Sequence, residues 1–433
     1  MKRSRVIQVL LLVAITFFAG YYFGVNKVNL DWKNYQPTLN VASQEPPPGL
    51  INIDFSQFWA VWQRLEENYY DKSKLDEQNM LNGAIEGMVN SLGDPFTMYL
   101  PPVQNTNFKQ GLAGQFSGIG AELGSQGKDI VIIAPLDGSP AEKAGIKTGD
   151  IITAVDGQSI AGWTLAQATD KIRGPKGTVV TLTVIHKMDN KTVSIKITRD
   201  VITVSSVAMA ILSAECTPTG GCTNLIPKGD SCTKSDCVKY AYLRLSEFGD
   251  NTNKDWEKLI PGIVKQIKSD KSIKGIVLDL RNNPGGYLTD AQFIASEFLP
   301  QGTTVVSEAP CPAGQDCTLT VQRQGLLTDP NIKLVVLING GSASASEIVS
   351  GALRDNHRVL ALVGEKSFGK GTVQEALDMG DGAGLHVTIA KWLTPNGTWV
   401  NKVGLTPDYT VSLDPKQPAV DTQLEKAVWV LIK

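Results

Sequence analysis

Three serines in a run of small residues, followed by a lysine between two glycines, are the residues of this chain best suited to nucleophilic chemistry. The run spans residues 338–347, and Lys370 follows in a Ser-Phe-Gly-Lys-Gly segment. A serine hydroxyl becomes an effective nucleophile when a neighbouring base takes its proton. Because the chain has only three histidines, a serine–histidine–aspartate arrangement has few candidates. The composition therefore favours a lysine as the base.

The middle serine, Ser344, has both a structural and a catalytic interpretation. Taken alone, the quartet 344–347 fits a capping box, in which a serine and the third following glutamate satisfy free amides of a helix. The wider context favours catalysis, because the predicted strand 334–338 leads through a small-residue turn into a helix, and the positive end of a helix stabilises an oxyanion. There the N–H of Ala345 can donate to a tetrahedral intermediate.

A second predicted strand end, at residues 279–286, offers further donors to the same anion. Gly285 and Gly286 leave backbone amides exposed, as an oxyanion hole requires. The alternative is a tight turn before the next helix, with Asp279 and Arg281 paired inside the core.

Lys370 can act as a base only when its amine is neutral. Burial or a nearby positive potential must then lower its pKa by several units. The flanking glycines would let the amine reach inward, although most lysines in glycine turns are solvated. Gln374 can orient the amine by hydrogen bonding, or it is an ordinary surface glutamine.

Length and composition indicate a multidomain globular protein. The 433 residues, 42% of them apolar, suffice for several cores, and the usual domain size suggests roughly three domains. A net charge of -2 without a long basic run beyond the extreme N-terminus argues against nucleic acid as a partner.

The N-terminus predicts a membrane anchor. Three cations within residues 1–5 precede the apolar stretch 6–25, whose length of about twenty residues can cross a bilayer as a helix. We expect an uncleaved single-pass anchor at 1–25, with the N-terminus cytoplasmic and the remainder extracytoplasmic. A cleaved signal peptide is the alternative. Residues 26–53 are polar and proline-rich, which is typical of a spacer.

Six cysteines fall into three close pairs. An even count beyond a membrane anchor favours disulfides in an oxidising compartment. Zinc is the alternative, but the spacings are longer than the two-residue knuckle common in zinc ribbons. The sequence does not determine which cysteines pair. The six are Cys216, Cys222, Cys232, Cys237, Cys311 and Cys317.

Hydrophobic periodicity divides the remainder into four parts. Residues 54–112 carry aromatic side chains at helical spacing, which predicts helices that pack together or against a second subunit. Residues 113–200 change to short strands with two helices, and residues 201–412 alternate strands with helices, the pattern of an α/β core. A last helix is predicted within the tail 413–433.

The second part resembles a PDZ domain over nearly its whole length, most strongly at residues 139–150. In such domains a glycine-containing loop presents backbone N–H groups to the terminal carboxylate of a peptide, which adds a strand to the sheet edge. Glycine suits this loop because a side chain would obstruct the nest of amides. The residues matching this loop are Ser117, Gly118, Ile119 and Gly120.

The chain as a whole, from residue 54 to about 411, resembles the C-terminal processing peptidases, a family of tail-specific serine–lysine proteases with a PDZ domain. The stretches that carry the resemblance, besides the PDZ body, are 83–88, 92–97, 278–286, 341–347, 368–374 and 404–408.

The resemblance implies a role for each candidate residue. Ser344 is implied as the nucleophile, Lys370 as the base and Gln374 as the partner of the lysine. Amides of Gly285 or Gly286 and of Ala345 would form the oxyanion hole. Arg173 matches an arginine through which the PDZ domain communicates with the protease core.

These observations lead to one expected fold and function. The fold is α/β and α+β multidomain, with a helical N-terminal region, a PDZ domain and a crotonase-like α/β protease core. The expected function is a membrane-anchored endopeptidase that captures exposed apolar C-terminal tails of protein substrates, without metal or cofactor. A homodimer is a further expectation from the resemblance.

Two alternatives come from other classes of protein. One is a membrane-tethered PDZ adapter whose protease core is inert. The other is a crotonase-type acyl-CoA enzyme, which also uses backbone oxyanion holes; the inserted PDZ domain argues against it.

Overall fold

The computed structural model describes residues 54–136, 138–187, 190–217, 221–226, 237–312, 314–413 and 420–433, together with two short strands near the N-terminus. Those strands, Val28–Lys33 and Gln36–Val41, pair antiparallel. They lie inside the segment predicted to be a spacer.

The predicted membrane localisation is contradicted. A span needs about twenty consecutive apolar residues in one helix, and no helix in the described part of the chain has this combination of length and apolar character. The segment 1–25, on which the expectation of a cytoplasmic N-terminus and an extracytoplasmic protease depended, lies outside the described residues. The single-pass membrane assignment is therefore not retained.

The N-terminal region is helical, as predicted, but its first helix does not pack as expected. The helix Ser56–Asn68 buries none of its residues, and Trp59 is 61% exposed. The prediction that its aromatic residues pack between helices is therefore wrong for the described chain. The region continues with the 3-10 helix Lys72–Lys74, the helices Glu77–Asn90 and Pro102–Leu112, and between these two the strand Met98–Leu100.

The PDZ part contains a six-stranded antiparallel sheet, and the strand Ala121–Gln126 lies at one of its edges. Alternation in Val179–Ile185 buries Val180, Leu182 and Val184 completely, as a half-buried strand requires. The other strands are Asp129–Pro135, Ile151–Val155, Gln158–Ser159 and Thr192–Thr198. The helices are Pro140–Lys143 and Leu165–Ile172, and the strand pair Gln115–Gly118 and Asp200–Thr203 lies where the chain enters and leaves.

The core is built on a seven-stranded sheet. Its first two strands in spatial order pair antiparallel, and the five strands that begin with Cys237–Leu245 pair parallel to one another. Every residue of Leu334–Ile338 is buried, which is typical of a parallel strand covered on both faces. In spatial order the strands are Gly221–Ile226, Val207–Thr217, Cys237–Leu245, Ile273–Asp279, Leu334–Ile338, Ala361–Gly364 and Tyr409–Thr410.

Helices cover the two faces of this sheet. Three helices, Thr252–Ser269, Leu288–Ser296 and Ala345–Asp355, form one core with the strand residues on one face. The C-terminal helix Thr422–Ile432 packs on the other face. A smaller sheet of Thr318–Thr320, Thr304–Ala309, Gly384–Leu393 and Thr372–Asp378 lies beside them, and Met98–Leu100 of the N-terminal region joins it.

Two of the three close cysteine pairs are joined among the described residues, and Cys232 lies outside them. Disulfides join Cys216 to Cys222 and Cys311 to Cys317, so Cys216 and Cys222 are not zinc thiolates.

The predicted ion pair between Asp279 and Arg281 is present in the core. Asp279 is only 1% exposed and accepts from Arg281 at 2.6 Å, which confirms the structural interpretation of this pair. Arg281 also contacts Asp421 at 2.8 Å and thereby ties the C-terminal helix to the strand end.

Candidate active site

The candidate site lies where two neighbouring parallel strands, Ile273–Asp279 and Leu334–Ile338, both end. Carboxyl ends of parallel strands meet at one edge of a sheet, so the loops that follow lie side by side. The N–H of Asn282 donates to Asn339 Oδ1 at 2.8 Å, and Asn339 Nδ2 donates back to Asn282 Oδ1 at 2.8 Å. These bonds hold the glycine loop and the serine run together.

Hydrogen bonding distinguishes the three serines of the run. Ser342 and Ser346 are fully buried, and their hydroxyls donate to the carbonyls of Leu280 at 2.8 Å and Asn283 at 2.9 Å. Ser344 is half-buried, its hydroxyl donates to no acceptor in the described chain, and it lines a cavity of about 610 Å³. Its φ of +53° is a strained conformation that is more frequent at functional sites.

Glu347 links the nucleophile loop to the lysine loop. Its carboxylate is completely buried. It accepts from the N–H of Ser344 at 2.9 Å, as the capping box predicts. It also accepts from the N–H groups of Gly369 at 2.7 Å and Lys370 at 2.9 Å, and from the hydroxyl of Ser367 at 2.6 Å. One carboxylate therefore fixes the backbones of both candidate residues, a function that the capping motif alone did not indicate.

Lys370 reaches into the same cavity as Ser344. Burial lowers the pKa of its amine from the ordinary 10.5, while the negative charges of Asp94 and Glu347 act in the opposite direction. The amine lies 5.1 Å from the centre of the Phe96 ring. Lys370 and Ser344 line one cavity but share no hydrogen bond among the described residues.

Gln374 also lines the cavity. Its Nε2 donates to the hydroxyls of Thr372 at 2.7 Å and Thr388 at 3.2 Å. Its carbonyl oxygen has no hydrogen-bond partner among the described residues. The amide is therefore oriented with its acceptor end free, which is the end that an amine would use.

Two of the three predicted oxyanion donors are free. The N–H groups of Gly286 and Ala345 donate to no acceptor within the described residues, and both residues line the cavity. The N–H of Gly285 is already satisfied by Asn283 Oδ1 at 2.9 Å. Gly286 has φ of +138° and leaves no space for a side chain, since a Cβ would overlap the carbonyl oxygen of Phe248.

The sequence did not indicate that an N-terminal helix forms one wall of the cavity. The helix Pro102–Leu112 contributes Phe108 and Lys109, among other side chains. Its end is fixed to the core because the N–H of Asp250 donates to the carbonyl of Leu112 at 2.8 Å. Apolar lining residues on the core side are Leu288, Ile348, Val373, Leu377 and Trp392.

The PDZ loop is also arranged with free donors. The N–H groups of Ile119 and Gly120 have no acceptor within the described chain. The edge strand Ala121–Gln126 follows directly. Gly120 has φ of +71°, and a Cβ there would lie 2.5 Å from Ser139 Cβ. The Ser117 hydroxyl lies 3.4 Å from Gln110 Oε1 of the cavity-wall helix.

Arg173 lies beside this loop. Its guanidinium carbon is 5.3 Å from the centre of the Phe116 ring, and its Cγ lies 3.9 Å from where a Cβ of Gly118 would be. The structure thus brings Arg173 to the base of the predicted peptide-binding loop.

Comparison with known proteins gives the same three parts. Family models match at residues 239–411 (peptidase family S41), 131–185 (PDZ domain) and 10–102 (activating protease CtpB N-terminal domain). A carboxy-terminal-processing protease of Bartonella bacilliformis is 37% identical over 356 residues, which cover 82% of this chain and 74% of that protein.

Two further proteins extend the comparison. Carboxy-terminal processing protease CtpB of Bacillus subtilis is 33% identical over 405 residues, covering 92% of this chain and 75% of that protein. A crystal structure of a Bacteroides fragilis protein classed with the S41 proteases has a TM-score of 0.53 at 15% identity, covering 86% of this chain and 95% of that one. At that identity the likeness is one of fold alone.

Proposed function

This chain belongs to peptidase family S41, the C-terminal processing serine peptidases, and we propose that Ser344 and Lys370 form its catalytic pair. The observation that carries the proposal is the Glu347 carboxylate, which binds the backbone N–H of both residues. Ser344 is also the member of its run whose hydroxyl donates to no acceptor among the described residues, whereas those of Ser342 and Ser346 donate to carbonyls. Burial lowers the pKa of Lys370, which is the direction that a general base requires.

Acylation follows from this arrangement. The neutral Nζ of Lys370 takes the proton of the Ser344 hydroxyl as Oγ attacks the carbonyl carbon of the scissile peptide bond. The negative charge that develops on the carbonyl oxygen is stabilised by the free N–H groups of Gly286 and Ala345. When the intermediate collapses, Lys370 returns the proton to the leaving amine and an ester with Ser344 remains.

Deacylation uses the same groups in reverse order. A water molecule gives a proton to Lys370 and attacks the ester carbonyl, and the same two N–H groups stabilise the second oxyanion. Collapse releases the new carboxyl end and returns the proton to Ser344. The free carbonyl of Gln374 is suited to hold the lysine amine between these steps.

The PDZ domain supplies the selectivity for C-terminal tails in this proposal. The uncommitted N–H groups of Ile119 and Gly120 would bind the terminal carboxylate, and the tail would add a strand to Ala121–Gln126. Protein substrates with exposed apolar C-termini are the expected ligands. Arg173, beside the same loop, is proposed to communicate tail binding to the protease core.

The catalytic assignment is tested with a folded protein substrate that carries an apolar C-terminal tail. Ser344→Ala and Lys370→Met are each expected to abolish cleavage of this substrate while tail-peptide binding persists. If either variant cleaves at the wild-type rate, the proposed pair is wrong. The inert-adapter alternative predicts instead that Ser344→Ala changes no measurable activity.

The tail-binding assignment is tested separately with Gly120→Ala. The added Cβ would overlap Ser139 and lie 2.9 Å from Ile202 Cδ1, so the loop must distort. We expect the affinity for a tail peptide to fall at least tenfold. Unchanged affinity in this variant would refute the proposed carboxylate site.

A further inference from the structure

A turn of the N-terminal region, Asp94–Thr97, packs against the candidate base. The Phe96 ring lies under the Lys370 amine at 5.1 Å from its centre, and the Phe96 N–H donates to Asp94 Oδ1 at 3.1 Å. The Asp94 carboxylate is therefore on the same turn, and its charge acts on Lys370. This turn lies outside the stretch that matches the peptidase model.

The same carboxylate begins a chain of hydrogen bonds that ends at Gln374. The Thr97 hydroxyl donates to Asp94 Oδ2 at 2.7 Å, and the N–H of Thr388 donates to Thr97 Oγ1 at 3.0 Å. The Thr388 hydroxyl in turn accepts from Gln374 Nε2 at 3.2 Å.

The direction of this chain is fixed by its charged end. Burial works against ionisation of Asp94, but its hydrogen bonds outweigh this effect, so the pKa of Asp94 is lowered. An ionised carboxylate can only accept. The hydroxyl proton of Thr97 must therefore point to Asp94, and its lone pairs receive the N–H of Thr388. This bond holds Thr388 where its hydroxyl accepts from Gln374 Nε2. The carbonyl of Gln374 is left as the end that faces the cavity.

We propose that Asp94 is a positioning residue for the Ser344–Lys370 pair, acting through Thr97 and Thr388 to orient the Gln374 amide so that its carbonyl oxygen can accept from the lysine amine. The proposal rests on the catalytic roles given above. The peptidase core would then be incomplete without the N-terminal turn, because that turn supplies the carboxylate that sets the direction of the chain.

Asp94 also acts on the protonation of the base. The charges that act on Lys370 are those of Asp94 and of Glu347 in the helix Ala345–Asp355, and Lys370 acts in turn on His386 of the smaller sheet. Both carboxylates favour the ammonium form. Other titratable groups that line the same cavity are Lys109, Glu247 and Asp378. Removing the charge of Asp94 must lower the pKa of Lys370, so the rise of kcat/KM with pH should move to lower pH. His386 does not account for a rise above pH 6.5, since burial lowers its pKa below that value.

The test separates charge from orientation. Thr388→Val removes the hydroxyl but keeps the carboxylate, and we expect kcat to fall roughly tenfold to a hundredfold, as misplacement of a catalytic group does, with a much smaller change in KM. Thr388→Ser retains the hydroxyl and should retain most of kcat. Asp94→Asn should lower kcat and also shift the kcat/KM profile to lower pH, which Thr388→Val should not do.

The matched control is Asp71→Asn. Asp71 lies in the same region, and its side chain accepts from the N–H and hydroxyl of Ser73 far along the chain from the turn at Asp94. Its replacement should leave both kcat and the pH profile unchanged. A wild-type kcat in Thr388→Val or in Asp94→Asn overturns the positioning role, and an unshifted profile in Asp94→Asn overturns the effect of the Asp94 charge on the base. Cleavage by Lys370→Met would instead overturn the catalytic pair itself, so the two failures are distinguishable.

Discussion

Replacing Glu347 with glutamine should separate the two catalytic loops without changing the size of the side chain. The carboxylate accepts four hydrogen bonds, three from backbone N–H groups and one from Ser367. A glutamine has one acceptor oxygen in place of two, and its amide nitrogen faces donors. At least one backbone N–H therefore loses its partner inside a buried site.

The expected cost follows from that count. A hydrogen bond to a charged group contributes about 1.5–3 kcal/mol and a neutral one about 0.5–1.5 kcal/mol. The variant loses one hydrogen bond to a charged group and weakens the others, but it no longer buries a charge, which offsets part of the loss. We therefore expect the free energy of unfolding to fall by about 2–4 kcal/mol. Misplacing Ser344 relative to Lys370 by an ångström should reduce kcat by about 100-fold.

A matched control is Glu297→Gln. Glu297 is also buried, at 1% exposure, and accepts from Trp256 at 3.1 Å, Arg323 at 2.7 Å and the N–H of Leu326 at 2.6 Å. It does not line the cavity. Urea unfolding should show comparable destabilisation of the two variants, whereas cleavage of the tailed substrate, measured where both are folded, should fall only in Glu347→Gln.

The result that would refute this reasoning is a Glu347→Gln enzyme with wild-type kcat and the stability of Glu297→Gln. Such an enzyme would show that the bonds between the two loops stabilise the fold without positioning the catalytic pair.

Three further outcomes are expected. Lys370→Met should be inactive yet unfold at a higher temperature than wild type near neutral pH. The folded protein lowers the pKa of the Lys370 amine below 10.5, so the stability of the wild type rises with pH between the lowered pKa and 10.5. The difference in unfolding temperature between variant and wild type should therefore shrink toward pH 10.5. Gly286→Ala should lose activity and about 1–3 kcal/mol of stability because of overpacking against Phe248, whereas Gly83→Ala, in a helix with open space around it, should be nearly neutral or stabilising in the same unfolding assay. The predicted homodimer should appear in analytical sedimentation and be weakened by Trp59→Ser, and a wild-type monomer at working concentration would remove that prediction.

Local sequence was sufficient to predict the elements that carry the chemistry. Alternating strands and helices predicted the α/β core, which the parallel sheet confirms, and residues 139–150 predicted the PDZ domain, which the family match confirms. These signals depend on residues close together in the chain, and pattern can therefore report them. The serine run and the glycine pair were each predicted to follow a strand, whereas their meeting at one sheet edge depends on the strand order of the folded sheet.

Tertiary structure alone decided how the site is completed. Ser344 is distinguished from Ser342 and Ser346 by which hydroxyls reach carbonyl oxygens of the neighbouring loop. Thr97 and Thr388 are 291 residues apart, so no local pattern could indicate that Asp94 belongs beside Lys370. In the helix 56–68, the spacing of aromatic residues predicted a buried face, but none of its residues is buried within the described chain. Periodicity specifies which face of an element is apolar, but only packing against distant segments determines what that face contacts.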